Sequence, residues 1–176
     1  MTRARRRLLA ALAAAVLAFG VVTARLFVWP AQGMPASVSA IVMLAGPGNR
    51  LPVALQLARQ HRAPVLVVSR GWQGYSGPCP AATAAAGVRL ICFDPNPGTT
   101  RGEAEFVGRL AQRYHWTSVV LVATRGQDTR ARIITGRCFS GSVYLVTASL
   151  PWDDWPYQLA YQWAAMGKAL LLDRAC

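Results

Sequence analysis

The first 29 residues set the terms for everything behind them. Arg3, Arg5, Arg6 and Arg7 form a basic cluster, and the 17 residues from Leu8 to Ala24 carry no charge. Arg25 interrupts, and Leu26–Trp29 is apolar again. A bilayer span needs about 20 apolar residues, within a range of roughly 17–25. A tilt, or a snorkelling Arg25, brings the segment to that length. Basic residues stay on the cytoplasmic side, which predicts an N-terminus inside and an extracytoplasmic chain beyond Pro30. A cleaved signal peptide is the alternative, since Val22-Thr23-Ala24 resembles a small-residue cleavage site. The apolar run exceeds the 7–15 residues of an ordinary signal core, which favours a retained anchor. Trp29 and Pro30 suit the outer interface. Either way the remainder is exported.

The expected organisation is an anchor over 1–29, a Pro/Gly-containing linker over 30–37 and one domain over 38–176, large enough for its own core. The chain carries a formal charge of +12, with 19 basic residues against 7 acidic ones. Only Lys168 is a lysine. Such a balance reads as a solvated arginine-rich surface or as affinity for anionic lipid, wall polymer or phosphate. Export, and the lack of a basic-aromatic recognition motif, argue against nucleic acid. The cytoplasmic membrane and an anionic small molecule remain as partners.

Cys79, Cys92, Cys138 and Cys176 all follow the anchor. Four cysteines in an oxidising compartment suggest two disulfides, with three possible pairings. Closeness along the chain favours Cys79–Cys92, which leaves Cys138–Cys176 to tie down the C-terminus. A metal site is not expected, because there is no CxxC and His61 and His115 are isolated.

Five apolar runs read as buried strands: 38–45, 63–69, 88–93, 117–123 and 141–147. Helical segments separate them, at about 51–61 (Asn49 as cap), a short 80–86, 101–115 (Thr99 or Thr100 as cap) and from Asp128 to about Phe139. A last helix spans about 157–172. Thr100 with Glu103 has the capping-box spacing. Alternating strands and helices imply an α/β fold, an open parallel sheet of about five strands with helices on both faces, Rossmann-like, with right-handed crossovers.

In such a sheet ligands bind beyond the carboxyl ends of the strands. That rule selects four loops. Gly46, Gly48 and Arg50 lie in the first, where glycines admit a ligand to backbone amides at a helix N-terminus. The loop is neither a Walker A motif nor GxGxxG. Ser69 and Arg70 end the second strand. Thr100 and Glu103 begin a helix. Thr124, Gln127 and Arg130 follow the fourth strand, with Asp128 expected as an N-cap. These ten residues are the candidate ligand contacts, while each also has a plain structural role as turn, cap or surface residue. No nucleophile–base pair and no GxSxG motif is present, so no catalytic residue is assigned. Paired-carboxylate chemistry is poorly supplied, with only Asp94, Glu103 and Asp128 near the rim. The late aromatics Trp152, Trp155, Tyr157, Tyr161 and Trp163 read as core and lid packing, with glycan binding or rest on a membrane as alternatives.

Taken in order, these loops resemble the YdcF-like family, also known by its SanA and ElyC members. The resemblance covers about Ser39 to Val146. It rests on Ile41–Gly48 with Arg50, Ala54, Leu55 and Leu57; on Val67-Val68-Ser69-Arg70-Gly71; on Asp94 through Thr100 and Glu103; and on Val122 through Ala131. Where the family has Thr, Ser and His in the last block, this chain has Ala123, Thr124 and Gln127. The resemblance implies an α/β domain of the bacterial envelope, tied to cell-wall biogenesis and envelope integrity. A nucleotide-like cofactor or a phosphorylated wall precursor would suit the arginines. Gln127 does not titrate near neutral pH, so an inactive interaction module is the alternative.

Overall fold

The computed structural model describes residues 2–71, 79 and 86–176. Five strands, β1 (Ala40–Met43), β2 (Val65–Ser69), β3 (Arg89–Phe93), β4 (Ser118–Thr124) and β5 (Ser142–Ala148), form one sheet in the order β3-β2-β1-β4-β5. Every pairing is parallel, as in Ile41 beside Leu66 on one flank and Val120 on the other. The α/β fold expected from the alternating pattern is the one observed. The short helix expected over 80–86 lies largely outside the described residues.

Alternate side chains of each central strand feed two cores. Val42, Val67, Val119 and Leu121 meet Val107, Ala111 and Ala131 of α3 (Thr100–Tyr114) and α4 (Arg125–Cys138). Ile41, Met43, Leu66 and Val120 meet Ala54, Leu55 and Ala58 of α2 (Arg50–Arg59) on the opposite face. Both faces of β1 and β4 are therefore dry, which explains their uninterrupted apolar sequences. α5 (Trp155–Leu171) lies outside this sandwich, and its Ala169 packs with Ala104 of α3 and Ile134 of α4.

The N-terminal segment is one helix from Arg3 to Val28, long and apolar enough to cross a membrane, with a mean hydropathy of 2.2 over its most apolar 18 residues. α1 (Arg3–Thr23) runs into a π-helical turn, Ala24–Val28. Phe27 is fully buried, and Thr129 Oγ1 of α4 donates to Leu26 O at 2.6 Å. Trp163 of α5 stacks on Phe19 and donates its indole N–H to Thr23 Oγ1. The expected linker is fastened along its length. Gly33 N–H bonds to Leu145 O, Arg132 donates to Ala31 O, and Thr147 Oγ1 donates to Gln32 Oε1. The contact at Gly33 is an antiparallel bridge to β5, so the linker covers an otherwise open sheet edge.

Two disulfides form, Cys79–Cys92 and Cys138–Cys176. The first ties the segment after β2 to β3, and the second holds the chain end to the last residue of α4. With a long apolar helix at one end, they suggest an oxidising, extracytoplasmic setting for the domain.

Two caps differ from expectation, and a third falls to one of the two hydroxyls expected for it. Asn49 occupies the N-cap of α2 but its side chain makes no capping bond. Thr99 rather than Thr100 caps α3, accepting from Gly102 N–H, and Glu103 turns away from any capping box. Thr124 is the N-cap of α4, which places Asp128 inside the first turn, fully buried. The late aromatics divide: Trp152 is 86% exposed and Tyr157 67%, so neither is core, while Trp163 packs against Phe19 and Phe27.

Candidate functional site

The strand order reverses between β1 and β4, and that reversal opens a crevice at their carboxyl ends. The loop from Leu44 to Asn49 fills one side of it. Arg50, the first residue of α2, folds its side chain back under this loop. Its guanidinium donates to Pro47 O at 2.9 Å, to Leu44 O at 3.0 Å, to Ala45 O and to Thr124 Oγ1 at 3.1 Å. Four of its five N–H groups are thereby committed within the protein. Arg50 is only 3% exposed, and burial pushes its pKa down to about 10. The residue staples the β1 loop to the end of β4.

The two loop glycines follow from this clamp. Gly46 has φ 135° and Gly48 φ 95°, where other residues are strained. A Cβ on Gly46 would also fall 2.5 Å from the Arg50 guanidinium, and one on Gly48 2.6 Å from Ser149 O.

A cavity of about 280 Å³ opens beside the staple. The β1 loop (Ala45, Gly46, Pro47) forms one wall and the start of α3 (Thr99 to Glu103) another. Gln127, Arg130 and Ile134 of α4 line a third side, and α5 closes the fourth with Tyr157, Gln158, Tyr161, Gln162 and Lys168. Thr100 Oγ1 is a shared acceptor, receiving Gln127 Nε2 at 3.1 Å and Arg130 Nη1 at 3.0 Å. Arg130 Nε donates to Gln162 Oε1 at 3.2 Å, which joins α4 to α5 across the cavity floor. Among the described residues the other three N–H groups of Arg130 have no partner.

Glu103 is the buried carboxyl of the site. Its Oε1 accepts from Ala45 N–H at 2.6 Å. Burial pushes its pKa up, while that N–H, the Ser69 hydroxyl and the nearby Arg50 and Arg130 pull the other way. The remaining charges on the rim are paired: Arg101 with Glu105 on the same helix, and Lys168 with Asp173. With Arg50 and Arg130 inside, the cavity has a positive interior.

Six of the ten expected contacts meet in this cavity: Gly46, Arg50, Thr100, Glu103, Gln127 and Arg130. Four do not line it. Gly48 packs against Ser149, and Thr124 supports Arg50 from below. Ser69 is buried, and its hydroxyl faces the Glu103 carboxyl and favours its charged form. Arg70 pairs with Asp94 across the ends of β2 and β3. The α5 wall was not expected. Its one sequence signal is a pair of glutamines, Gln158 and Gln162, four apart in a helix with no charge before Lys168. No cluster of metal ligands occurs among the described residues. Neither histidine reaches the crevice; His61 and His115 sit at the ends of α2 and α3 with φ of 51° and 53°.

Comparison with protein-family models and with curated protein sequences finds no match for this chain.

Proposed function

We propose that this chain is a membrane-anchored, extracytoplasmic α/β domain that binds a small anionic ligand, a nucleotide-like or phosphorylated wall-precursor molecule, in cell-envelope biogenesis. The kinship it suggests is with the YdcF-like proteins. The orientation follows from Arg3, Arg5, Arg6 and Arg7 ahead of the span, which hold the N-terminus in the cytoplasm. One observation carries the ligand reading. Arg130 is buried in the switch-point cavity, with three N–H donors uncommitted among the described residues. A guanidinium so placed is a ready fork for phosphate or carboxylate. The first turn of α3 adds the partial positive charge of a helix start to the same wall.

The test is a thermal-shift series on the detergent-purified chain with pyrophosphate, nucleoside diphosphates and UDP-linked wall sugars. A ligand at 100 times its dissociation constant stabilises by about 2.7 kcal/mol. Arg130→Gln is expected to abolish the shift, read against the variant's own unliganded melting point because the substitution also removes the bond to Gln162. A shift that survives the substitution overturns the reading.

A second reading, an inactive interaction module, is favoured by Gln127. Its amide is engaged by Thr100, at the position where the resembled family has a histidine. Gln127→His separates the two. Hydrolysis of a bound phosphate ester by the variant supports a lapsed catalytic site, whereas binding without turnover supports the module.

A further inference from the structure

The end of the anchor and the last helix hold each other, and that contact fixes how deep the domain sits. Trp163 of α5 stacks on Phe19 at 5.2 Å between ring centroids. It meets Phe27 edge-on and hydrogen-bonds Thr23. Phe19, Thr23 and Phe27 are successive turns of one face of the N-terminal helix. If the span begins after Arg7, about 30 Å of hydrocarbon ends near Phe27. Phe19 then lies about 12 Å below the outer boundary, and Thr23 about 6 Å below it. Shifting the helix to put Arg25 at that boundary still leaves Phe19 about 9 Å down, and drags Arg6 and Arg7 into the inner leaflet. Under either register Trp163 lies below the surface, and α5 lies there with it.

The exposed side of α5 is built for such a place. No charged residue occurs between Trp155 and Gly167. At about 3.6 residues per turn, the arc next to Trp163 carries Pro156, Ala160, Ala164, Gly167, Leu170 and Leu171. Most of these are exposed, and none is polar. Tyr157, Tyr161 and Lys168 follow around the helix, between this arc and the cavity. Amphipathic rings and a long cationic side chain are the residues that sit at headgroup level.

We infer that α5 is an interfacial helix, with its Ala160–Ala164–Leu171 face sunk in the outer leaflet beside the anchor and the cavity mouth at headgroup height. The occupant of this apolar face is the bilayer itself. Continuity with the span is the ground for that choice, since the face begins where the Phe19–Trp163 contact ends. A helix lying 5–10 Å into the boundary is the ordinary depth for such segments. The inference rests on Arg3–Val28 being a bilayer span, and not on what the cavity binds.

The experiment uses the full chain in vesicles of phosphatidylcholine and phosphatidylglycerol, with both disulfides intact. One added cysteine at a time carries an environment-sensitive fluorophore: Ala164→Cys and Leu171→Cys on α5, Gln112→Cys on the exposed side of α3, and Val16→Cys in the span. Lipids brominated on the acyl chain are the quencher. Blue-shifted emission and strong quenching at 164, 171 and 16, with neither at 112, is the expected result. Labels at 164 and 171 as wet and unquenched as that at 112 overturn the inference while 16 stays quenched. Blue-shifted but unquenched labels, with crosslinks between chains, also overturn it and assign the face to a second copy. An unquenched label at 16 overturns the span and this inference together.

Discussion

Asp128 shows how a single residue changes meaning when its neighbours are known. Its composition and position suggest a helix cap, but Thr124 occupies the cap and Asp128 is fully buried one turn in. Neither carboxyl oxygen has a described partner. Burial therefore dominates and pushes the pKa from 3.8 up to about 7, although Arg50, Arg132 and Arg125 favour the charged form. The consequence for stability has a definite sign. At low pH the group is protonated in both states and contributes nothing to the pH dependence. As pH rises past 3.8 the unfolded chain ionises while the folded one keeps its proton, so stability falls until about pH 7 and then levels. Glu103 is shifted in the same direction and adds to the slope. Asp128→Asn has no proton to keep, so its stability declines less over that window. Chemical denaturation of parent and variant across the window measures the difference; parallel curves would show that the carboxyl is ionised in the folded protein.

The sheet was legible because the strands are buried on both faces, and burial on both faces writes itself as an unbroken apolar run such as Ala40–Met43 or Val119–Ala123. The strand-end loops were legible for the same reason: a crevice opens at the carboxyl end of a buried parallel strand, so locating the strand locates its loop. Two things escaped. Capping depends on which of two adjacent hydroxyls faces the helix start, and Thr99 against Thr100 differ by one residue in identical surroundings. The α5 wall escaped because no local rule places residues 157–168 opposite residues 100–130; the Arg130–Gln162 bond, the bonds of Arg137 to Ala169 O and Asp173 O, and the Ala104–Ile134–Ala169 cluster do so. That packing also distinguishes glycines that look alike in sequence. Gly108 of α3 faces α4 so closely that a Cβ would run into the carbonyl oxygen of Cys138, whereas a Cβ on Gly136 would meet nothing within 4 Å. Gly108→Ala is expected to cost about 1–3 kcal/mol by overpacking. Gly136→Ala is expected to gain about 0.5–1 kcal/mol of helix stability. Urea unfolding of the two variants checks both signs; two gains would mean that α3 and α4 stand further apart.

At the scale of the whole molecule, the two disulfides and the N-terminal helix constrain each other. The Cys138–Cys176 bridge spans a separation of 38 residues and closes a loop that contains β5 and all of α5. Loop-closure entropy makes it worth about 4 kcal/mol, and the 13-residue Cys79–Cys92 separation about 3 kcal/mol. Small domains have about 5–15 kcal/mol in total, so reduction removes a large share of stability. Such a protein is suited to an oxidising compartment, which is where the basic N-terminal cluster would send it. Losing the longer bridge also has a local effect, because it frees the end of the helix that walls the cavity and grips the N-terminal helix. Cys176→Ser paired with Cys138→Ser is therefore expected to destabilise α5 ahead of the sheet. Hydrogen exchange would find faster opening in α5 amides than in β1 or β4, whose cores the bridge does not touch. Thiol labelling of intact cells checks the compartment. With the domain outside, an impermeant maleimide modifies Cys79, Cys92, Cys138 and Cys176 only after a reductant is added. Four thiols that stay unreactive until the cells are broken, and then react without reductant, would put the domain in the cytoplasm and reverse the topology.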